Sequence, residues 1–107
     1  ASLERIIDHI DRNLKLELTA EALAEQACMS LRSLYALFDR HLQTTPKQYV
    51  RQRKLEQVHA CLGDASCSVR SVTELAMDYG FMHLGRFSEV YGQQCGEFPP
   101  ETLRNRR

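Results

Sequence analysis

The sequence lacks the features that would place it in several large classes of protein. No apolar run approaches the ~20 residues that a membrane-spanning helix needs. We find no secretory signal, and the apolar residues show no sustained alternation at period two, which argues against strands. No Ser/His/Asp grouping, carboxylate pair or phosphate-binding loop is visible, so we do not expect an enzyme. The chain does not begin with Met, and we expect a fragment of a longer protein.

Cysteines are present, but without the spacing of a metal site. The four have no CxxC pairing: Cys28, Cys61, Cys67 and Cys95. Cys61 and Cys67 with the nearby His59 are a conceivable metal set, but zinc-site spacings are absent, so we predict no metal and no cofactor. Because disulfides are rare in cytoplasmic proteins, we interpret all four as reduced thiols and predict a cytoplasmic location.

The chain also has no net charge, because its 14 basic residues balance its 14 acidic ones. A neutral chain argues against a strongly nucleic-acid-binding surface, but the charges are unevenly distributed. Residues 1–30 hold three basic and six acidic residues, whereas residues 31–57 hold six basic and two acidic ones. Residues 101–107 add three arginines against one glutamate. The chain is therefore polarised, with its basic block beginning near the sequence CMSLRSLY.

Helical periodicity runs through the whole chain. Apolar residues recur at i, i+3, i+4 and i+7 in successive segments. Thr19, Ser30 and Ser71 are expected N-caps, Pro46 suits a first helical turn, and Gly80 ends a helix. The pattern predicts an all-α fold of about seven helices: residues 2–12, 20–27, 31–42 and 47–62, one ended by Gly80, one around residues 87–91, and a short one from Pro99.

The two halves of the chain repeat one another, each as a helix, a tight turn and a second helix. This is the helix-turn-helix plan, in which the second helix lies in the DNA major groove. The repeat predicts a first subdomain at 1–45, a linking helix at 46–62 and a second subdomain at 63–107. Gly80 suits the left-handed turn, and Cys28 occupies the same place in the first copy. Other equivalent pairs are Thr19 and Ser71, Leu23 and Leu75, Ala24 and Ala76, Leu34 and Phe87, Phe38 and Tyr91, and Pro46 and Pro99.

The outward faces of the two second helices are the predicted DNA-reading surfaces. Arg32 is the sharpest candidate, because a guanidinium can bond O6 and N7 of guanine together, although a solvated surface arginine fits equally well. Tyr35 either contacts a base or sugar or belongs partly to the core. The predicted base-facing residues are Arg32, Ser33, Tyr35 and Ala36 in the first copy, and Gly85, Arg86, Ser88 and Glu89 in the second.

Two further features concern how strongly each copy binds. Glu89 either accepts from cytosine N4 or leaves the second copy a weak reader, because a carboxylate repels phosphate. We expect the first copy to set sequence preference and the second to add mainly affinity and fit. Basic residues at the start of the linking helix, including Arg53, suit phosphate contacts or form a solvated face. The predicted phosphate-contacting residues are Ser30, Arg40, Thr44, Lys47, Gln48 and Arg51, to which the basic tail adds charge.

In the order and spacing of these motifs the sequence resembles the DNA-binding domain of the AraC/XylS family of transcriptional regulators, over about residues 3–105. Two segments carry the resemblance, LTAEALAEQACMSLRSLYALFDRHLQTTPKQYVRQRKLEQ and VTELAMDYGFMHLGRFSEVYGQQCGEFPPETLR. Cys28 stands where glycine is common in the family, and Met82 and His83 replace the usual polar cap. By position, the base-facing residues of both copies match the family's sites.

The resemblance implies two recognition helices in successive major grooves of double-stranded DNA, and transcription regulation by activation. It also implies an effector or dimerisation domain outside this chain, and RNA polymerase as a partner. The alternative class is a helical protein-interaction domain that contacts RNA polymerase or a regulatory partner with little or no DNA readout. Salt-dependent DNA binding would separate the two.

Overall fold

The computed structural model describes residues 2–107. Seven helices and no strand occupy that range, so the predicted all-α fold is confirmed. The helices are α1 (Ser2–Arg12), α2 (Ala20–Gln26), α3 (Leu31–Leu42), α4 (Pro46–Gly63), α5 (Val72–Asp78), α6 (Leu84–Cys95) and α7 (Pro99–Arg104).

Side-chain caps determine where several helices begin. The hydroxyls of Thr19, Ser30 and Ser71 each accept a hydrogen bond from the backbone N–H three residues later, at 3.0–3.1 Å. The three predicted N-caps are therefore confirmed. α4 is capped by Thr45, whose hydroxyl accepts from the backbone N–H of Gln48 at 3.2 Å.

The two copies end their first helices in the same backbone turn. In each, an N–H bonds to a carbonyl five residues earlier, that of Ala24 or that of Ala76, at 3.0 Å. This is the 6→1 bond of a Schellman turn, which requires a left-handed residue. Cys28 has φ +57° and Gly80 has φ +87°, so both predicted turn residues are confirmed.

A second pair of left-handed residues closes α3 and α6. Gln43 has φ +51° and Gly96 has φ +76°, and each lies three residues before a proline. Pro46 and Pro99 are the first residues of α4 and α7, and both are buried. The internal repeat is therefore present in the backbone as well as in the sequence.

The chain divides inside α4 into two compact units, one ending at Arg53 and the other beginning at Lys54. In the first unit the Phe38 and Tyr49 rings meet edge-on, with centroids 5.7 Å apart. Leu14 lies after the end of α1, four positions beyond Ile10, and is buried with the apolar faces of the four helices. The buried apolar residues of this unit are Ile6, Ile10, Leu14, Leu23, Ala24, Leu34, Phe38 and Val50.

The second unit has its own apolar cluster. Phe87 packs between Phe81 and Tyr91, with ring centroids 5.0 and 5.6 Å away. Gly92 of α6 allows the Phe98 ring to lie against the helix, because a Cβ at Gly92 would come within 2.7 Å of that ring. The buried members of the cluster are Leu55, Val58, Leu62, Leu75, Ala76, Phe87 and Tyr91.

A short chain of hydrogen bonds satisfies the polar groups beside this cluster. The Tyr91 hydroxyl donates to Thr102 Oγ1 at 2.8 Å, and the Thr102 hydroxyl donates to the Glu97 carboxylate. That carboxylate also lies 3.2 Å from His59 Nε2. Burial raises the pKa of Tyr91 to about 12, so its hydroxyl remains a donor at neutral pH.

The expectation that all four cysteines are reduced thiols is wrong for one pair. Cys61 and Cys67 form a disulfide with their Cα atoms 5.4 Å apart, whereas Cys28 and Cys95 are free. The physical reason is that the chain folds back after Gly63, which brings Cys67 within bonding distance of α4. Sequence spacing does not show that reversal.

The described residues contain neither a metal-binding cluster nor a membrane-spanning helix. No cluster of three or more histidine, cysteine or acidic side chains is arranged to hold a metal ion in residues 2–107. Over the same range, no helix combines the length and apolar character needed to cross a membrane.

Candidate nucleic-acid interface

The outer face of α3 is small, polar and open to solvent. Leu34 and Phe38 face the core with no exposed surface, which turns the residues between them outward. Tyr35 retains 41% of its surface, so its ring is available for a contact. The structure brings all four predicted base-facing residues of the first copy onto this exposed face: Arg32, Ser33, Tyr35 and Ala36.

Ser30 and Ser33 share a hydrogen-bonded arrangement at the start of α3. The Ser30 oxygen accepts from the Ser33 backbone N–H at 3.1 Å, and the Ser30 hydroxyl donates to Ser33 Oγ at 3.0 Å. A serine hydroxyl has one proton to donate. Ser33 therefore keeps its proton for a ligand, while Ser30 serves first as the helix cap.

The corresponding face of α6 is more open at its beginning. Phe87 and Tyr91 are buried, so the residues between them turn outward. Of the predicted base-facing residues, Gly85, Arg86 and Glu89 are exposed, whereas Ser88 is half-buried. A Cβ at Gly85 would meet no atom within 4 Å, which leaves the first turn accessible from outside.

The N-terminus of α6 differs from that of α3. His83 occupies the N-cap position but its side chain makes no capping hydrogen bond. Met82 before it is 70% exposed. The first-turn N–H groups of α6 thus lack the side-chain acceptor that Ser30 supplies to α3.

A shallow groove runs beside the outer face of α6. Its residues include two that the sequence did not suggest, Gln93 and Phe98. Gln93 follows Glu89 by four positions and could have been found from helical spacing. Phe98 comes after the left-handed Gly96, where no periodic signal remains. The lining residues are Gly85, Ser88, Glu89, Gly92, Gln93 and Phe98.

The structure separates the basic residues into engaged and available groups. Arg53 Nε lies 2.9 Å from Asp11 Oδ1, and Lys54 Nζ donates to the Tyr79 carbonyl at 3.1 Å. Arg106 donates to three backbone carbonyls. Arg53 and Arg106, which the sequence suggested for phosphate contacts, are therefore held within the protein.

Four cations of α3 and the first turns of α4 remain available. Their side chains are exposed, and none has a partner among residues 2–107: Arg32, Arg40, Lys47 and Arg51. Gln48 is exposed too, and Thr44 is half-buried with its hydroxyl donating to Gln48 Oε1 at 3.2 Å. Because that proton is engaged, Thr44 orients Gln48 more readily than it donates to a ligand.

The part of the second unit that contains α5 and α6 carries a different charge. Residues 58–100 contain two basic and five acidic residues, and Arg86 is the only cation on α6. Glu89 lies on the same exposed face. Of the two second helices, α3 with the neighbouring first turns of α4 therefore offers a polyanion more available positive charge than α6 does.

The fold and these two faces define a domain with a repeated helix-turn-helix, each copy presenting the outer face of its second helix. The profile of a family described as "Helix-turn-helix domain" matches residues 23–105. With the relatives described next, this match shows that the chain belongs to the AraC/XylS family of helix-turn-helix DNA-binding domains.

The curated relatives are regulators by name. The chain is 57% identical over 103 residues to the XylDLEGF operon transcriptional activator of Pseudomonas putida, covering 96% of this chain and 32% of that protein. It is 33% identical over 98 residues to the probable thc operon regulatory protein of Rhodococcus erythropolis, covering 92% and 30% respectively. The chain thus spans about a third of the length of these relatives.

Solved structures agree on the fold. A crystal structure of a probable AraC family transcriptional regulator from Rhodopseudomonas palustris superposes with a TM-score of 0.88 at 29% identity, covering 99% of this chain and 98% of that one. An AraC-type regulator from Chromobacterium violaceum gives 0.87 at 23% identity, covering 96% and 89%, and supports the fold alone.

Proposed function

We propose that this chain is the DNA-binding part of a longer, non-enzymatic transcription regulator that acts as an activator. It would bind double-stranded DNA sequence-specifically, with α3 and α6 each entering a major groove. The observation that carries the proposal is the set of four available cations on α3 and the first turns of α4. They flank a helix face that is otherwise small and polar, as a groove-reading helix requires.

The base-reading roles follow from side-chain chemistry. Arg32, exposed and without an intramolecular partner among the described residues, would bond O6 and N7 of guanine. Ser33 has a free hydroxyl proton for a base or phosphate, and Ala36 fits a thymine methyl group. Tyr35 would contact a base or sugar. On α6 the corresponding readers would be Gly85, Arg86, Ser88 and Glu89, with Glu89 accepting from cytosine N4.

Phosphate contacts would fix the register of the domain on the duplex. Arg40, Lys47 and Arg51 supply charge, and Gln48, oriented by Thr44, supplies an amide. Ser30 would add a contact at the N-terminus of α3, where backbone N–H groups favour an anion.

The wider setting is also part of the proposal. The Pseudomonas putida relative is named an activator and is about three times longer than the match, since the chain covers 32% of it. We propose by analogy that a further domain of the parent protein senses an effector or dimerises, and that RNA polymerase is a partner. A cytoplasmic location follows from that role.

The decisive experiment begins with selection of bound sequences from random duplex DNA. Arg32→Ala should then lose roughly 1–3 kcal/mol of affinity for the selected site and relax preference at one base pair. Binding to random DNA should change little. Arg12→Ala is the matched control, because Arg12 is an exposed arginine whose charge is already paired with Asp8 at 3.1 Å.

Two results would contradict the proposal in different ways. Equal losses on selected and random DNA would make Arg32 a phosphate contact. Binding that does not change with salt, or no enrichment in the selection, would favour a protein-interaction domain instead.

A further inference from the structure

The Cys61–Cys67 disulfide lies outside the surface that the proposed function uses. Cys61 is in the last turn of α4, and Cys67 is in the loop that leads to α5. Neither residue is fully buried, since both have intermediate exposure. Accessible disulfides exchange with small thiols more readily than buried structural ones.

Backbone hydrogen bonds fold the loop between the two cysteines. The Asp64 N–H donates to the Cys61 carbonyl at 3.2 Å, and the Cys67 N–H donates to the Asp64 carbonyl at 2.9 Å. The Asp64 carboxylate accepts from the hydroxyl and the backbone N–H of Ser66 at 2.7 and 2.9 Å, and these bonds lower the pKa of that carboxyl. The loop is thus a compact turn with carbonyl oxygens left to accept a further donor.

Arg106 is that donor. One nitrogen of its guanidinium donates to the Cys67 carbonyl at 2.8 Å, to the Cys61 carbonyl at 3.2 Å, and to the Asp64 carbonyl. Two of these three acceptors belong to the bonded cysteines themselves. The disulfide therefore holds together the two sides of the site that Arg106 occupies.

The backbone beyond Arg106 is attached to the same loop. The Arg107 N–H donates to the Gly63 carbonyl at 2.9 Å, and the Arg107 carbonyl accepts from the Ala65 N–H at 2.7 Å. Docking also has a cost, because Arg106 Nε is buried with no partner among the described residues. This unpartnered nitrogen offsets part of the stabilisation that the hydrogen bonds of Arg106 and Arg107 provide.

We propose that Cys61 and Cys67 form a reversible thiol–disulfide exchange site for a low-molecular-weight disulfide such as oxidised glutathione. The oxidised pair holds residues 105–107 on the loop, and the reduced pair releases them. Reduction frees Cys67 from α4, and the loop then has to lose conformational entropy before Arg106 can dock. This inference is independent of DNA binding.

The exchange is balanced without any further reactant. One cysteine thiolate attacks a sulfur of oxidised glutathione, which forms a mixed disulfide and releases one glutathione thiolate. The second cysteine thiolate then attacks the protein sulfur of the mixed disulfide and releases the other. The two protein thiols are oxidised, glutathione disulfide is reduced to two thiols, and the two cysteine protons end on them.

Disulfide formation and docking of Arg106 must favour one another equally. If the disulfide raises the equilibrium constant for docking of Arg106 by a given factor, docking raises the equilibrium constant for disulfide formation by the same factor. Arg106→Ala should therefore make the disulfide easier to reduce. Arg104→Ala is the matched control, since Arg104 is an exposed arginine of the same segment with no side-chain partner in the described range.

The experiment equilibrates the intact chain in glutathione buffers of graded ratio, traps free thiols by alkylation and quantifies the linked peptide by mass spectrometry. Amide hydrogen exchange of Arg107 and Ala65 is then followed by NMR in the fully oxidised and fully reduced protein. Reduction should increase the hydrogen-exchange rate of both amides about tenfold. The Leu34 amide of the first unit should not change.

In the titration, Arg106→Ala should shift the equilibrium constant for disulfide formation toward the thiols by that same factor, about tenfold. Arg104→Ala should leave it unchanged. The proposal is overturned if glutathione only forms mixed disulfides on single cysteines, or if the pair does not oxidise. It is equally overturned if the Arg107 and Ala65 amides exchange alike in both states, a comparison that needs no variant to fold.

Discussion

Arg51 and Arg53 lie two positions apart on α4, but replacing them with alanine should affect DNA binding differently. Arg51 is exposed and has no partner among the described residues. Arg53 pairs with Asp11 at 2.9 Å and retains 27% of its side-chain surface. If phosphate contacts come from the available cations, Arg51→Ala removes one and Arg53→Ala removes none.

The size of the effect follows from counterion release. Each neutralised phosphate contributes about −0.9 to the slope of log affinity against log salt. The four available cations of α3 and the first turns of α4, with Arg86 on α6, predict a wild-type slope of about −4 to −5. Arg51→Ala should make that slope shallower by about 0.9, and at 0.1 M salt should weaken binding by about eightfold, or about 1.2 kcal/mol.

The assay is a fluorescence-anisotropy titration of both variants on selected and random duplexes between low and physiological salt. Arg51→Ala should lose the same factor on both duplexes, because a phosphate contact carries no sequence information. Arg53→Ala should keep the wild-type slope, and unfolding experiments would show its effect on the first unit instead. A slope for Arg53→Ala that falls as far as that of Arg51→Ala would refute the division into engaged and available cations.

Two predictions concern stability and can be checked by urea unfolding. Gly80→Ala should lower the free energy of unfolding by about 1–2 kcal/mol, because φ is +87° there and not because space is short. Cys28→Gly, at φ +57°, should raise that free energy by up to ~1 kcal/mol. A Gly80→Ala variant that loses no stability, or a Cys28→Gly variant that loses some, would exclude backbone strain as the cause. The hydrogen bond from Thr102 holds the pKa of Glu97 below its ordinary value, so its stabilising contribution is complete above the unfolded-state pKa and disappears as pH falls through the folded-state pKa. Glu97→Gln should therefore flatten the loss of stability on acidification, and unchanged acid sensitivity in this variant would contradict the prediction.

Helix positions could be predicted from the sequence because their causes are local. A serine or threonine three residues before a free N–H, or a glycine where φ must be positive, acts within one turn of helix. Ser30, Ser71 and Gly80 are such residues, and the helix ends beside them lie within one or two positions of those predicted. The outward direction of Arg32 also followed, because Leu34 and Phe38 fix the orientation of α3.

Contacts between distant residues could not be predicted in the same way. Arg53 finds Asp11 on α1, and Arg106 finds carbonyls about 40 positions earlier in the chain. Nothing in the local pattern separates these arginines from Arg51. The Cys61–Cys67 disulfide could not be predicted for a similar reason. A six-residue separation allows a disulfide only if the chain reverses between the two positions, and the local pattern does not show that reversal.

The repeat joins a shared backbone to unequal chemistry, and this bears on what each copy contributes. Both copies have the same left-handed turns and the same buried faces, so both can present a helix in the same way. The first copy has four available cations on α3 and the first turns of α4. In the second copy, α6 has Glu89, a groove beside Phe98 and one cation, Arg86. Counterion release requires positive charge near phosphate. The salt-dependent part of what the two helix faces contribute should therefore come mainly from α3 and the first turns of α4, and what α6 adds should depend on hydrogen bonds and shape, which salt weakens far less.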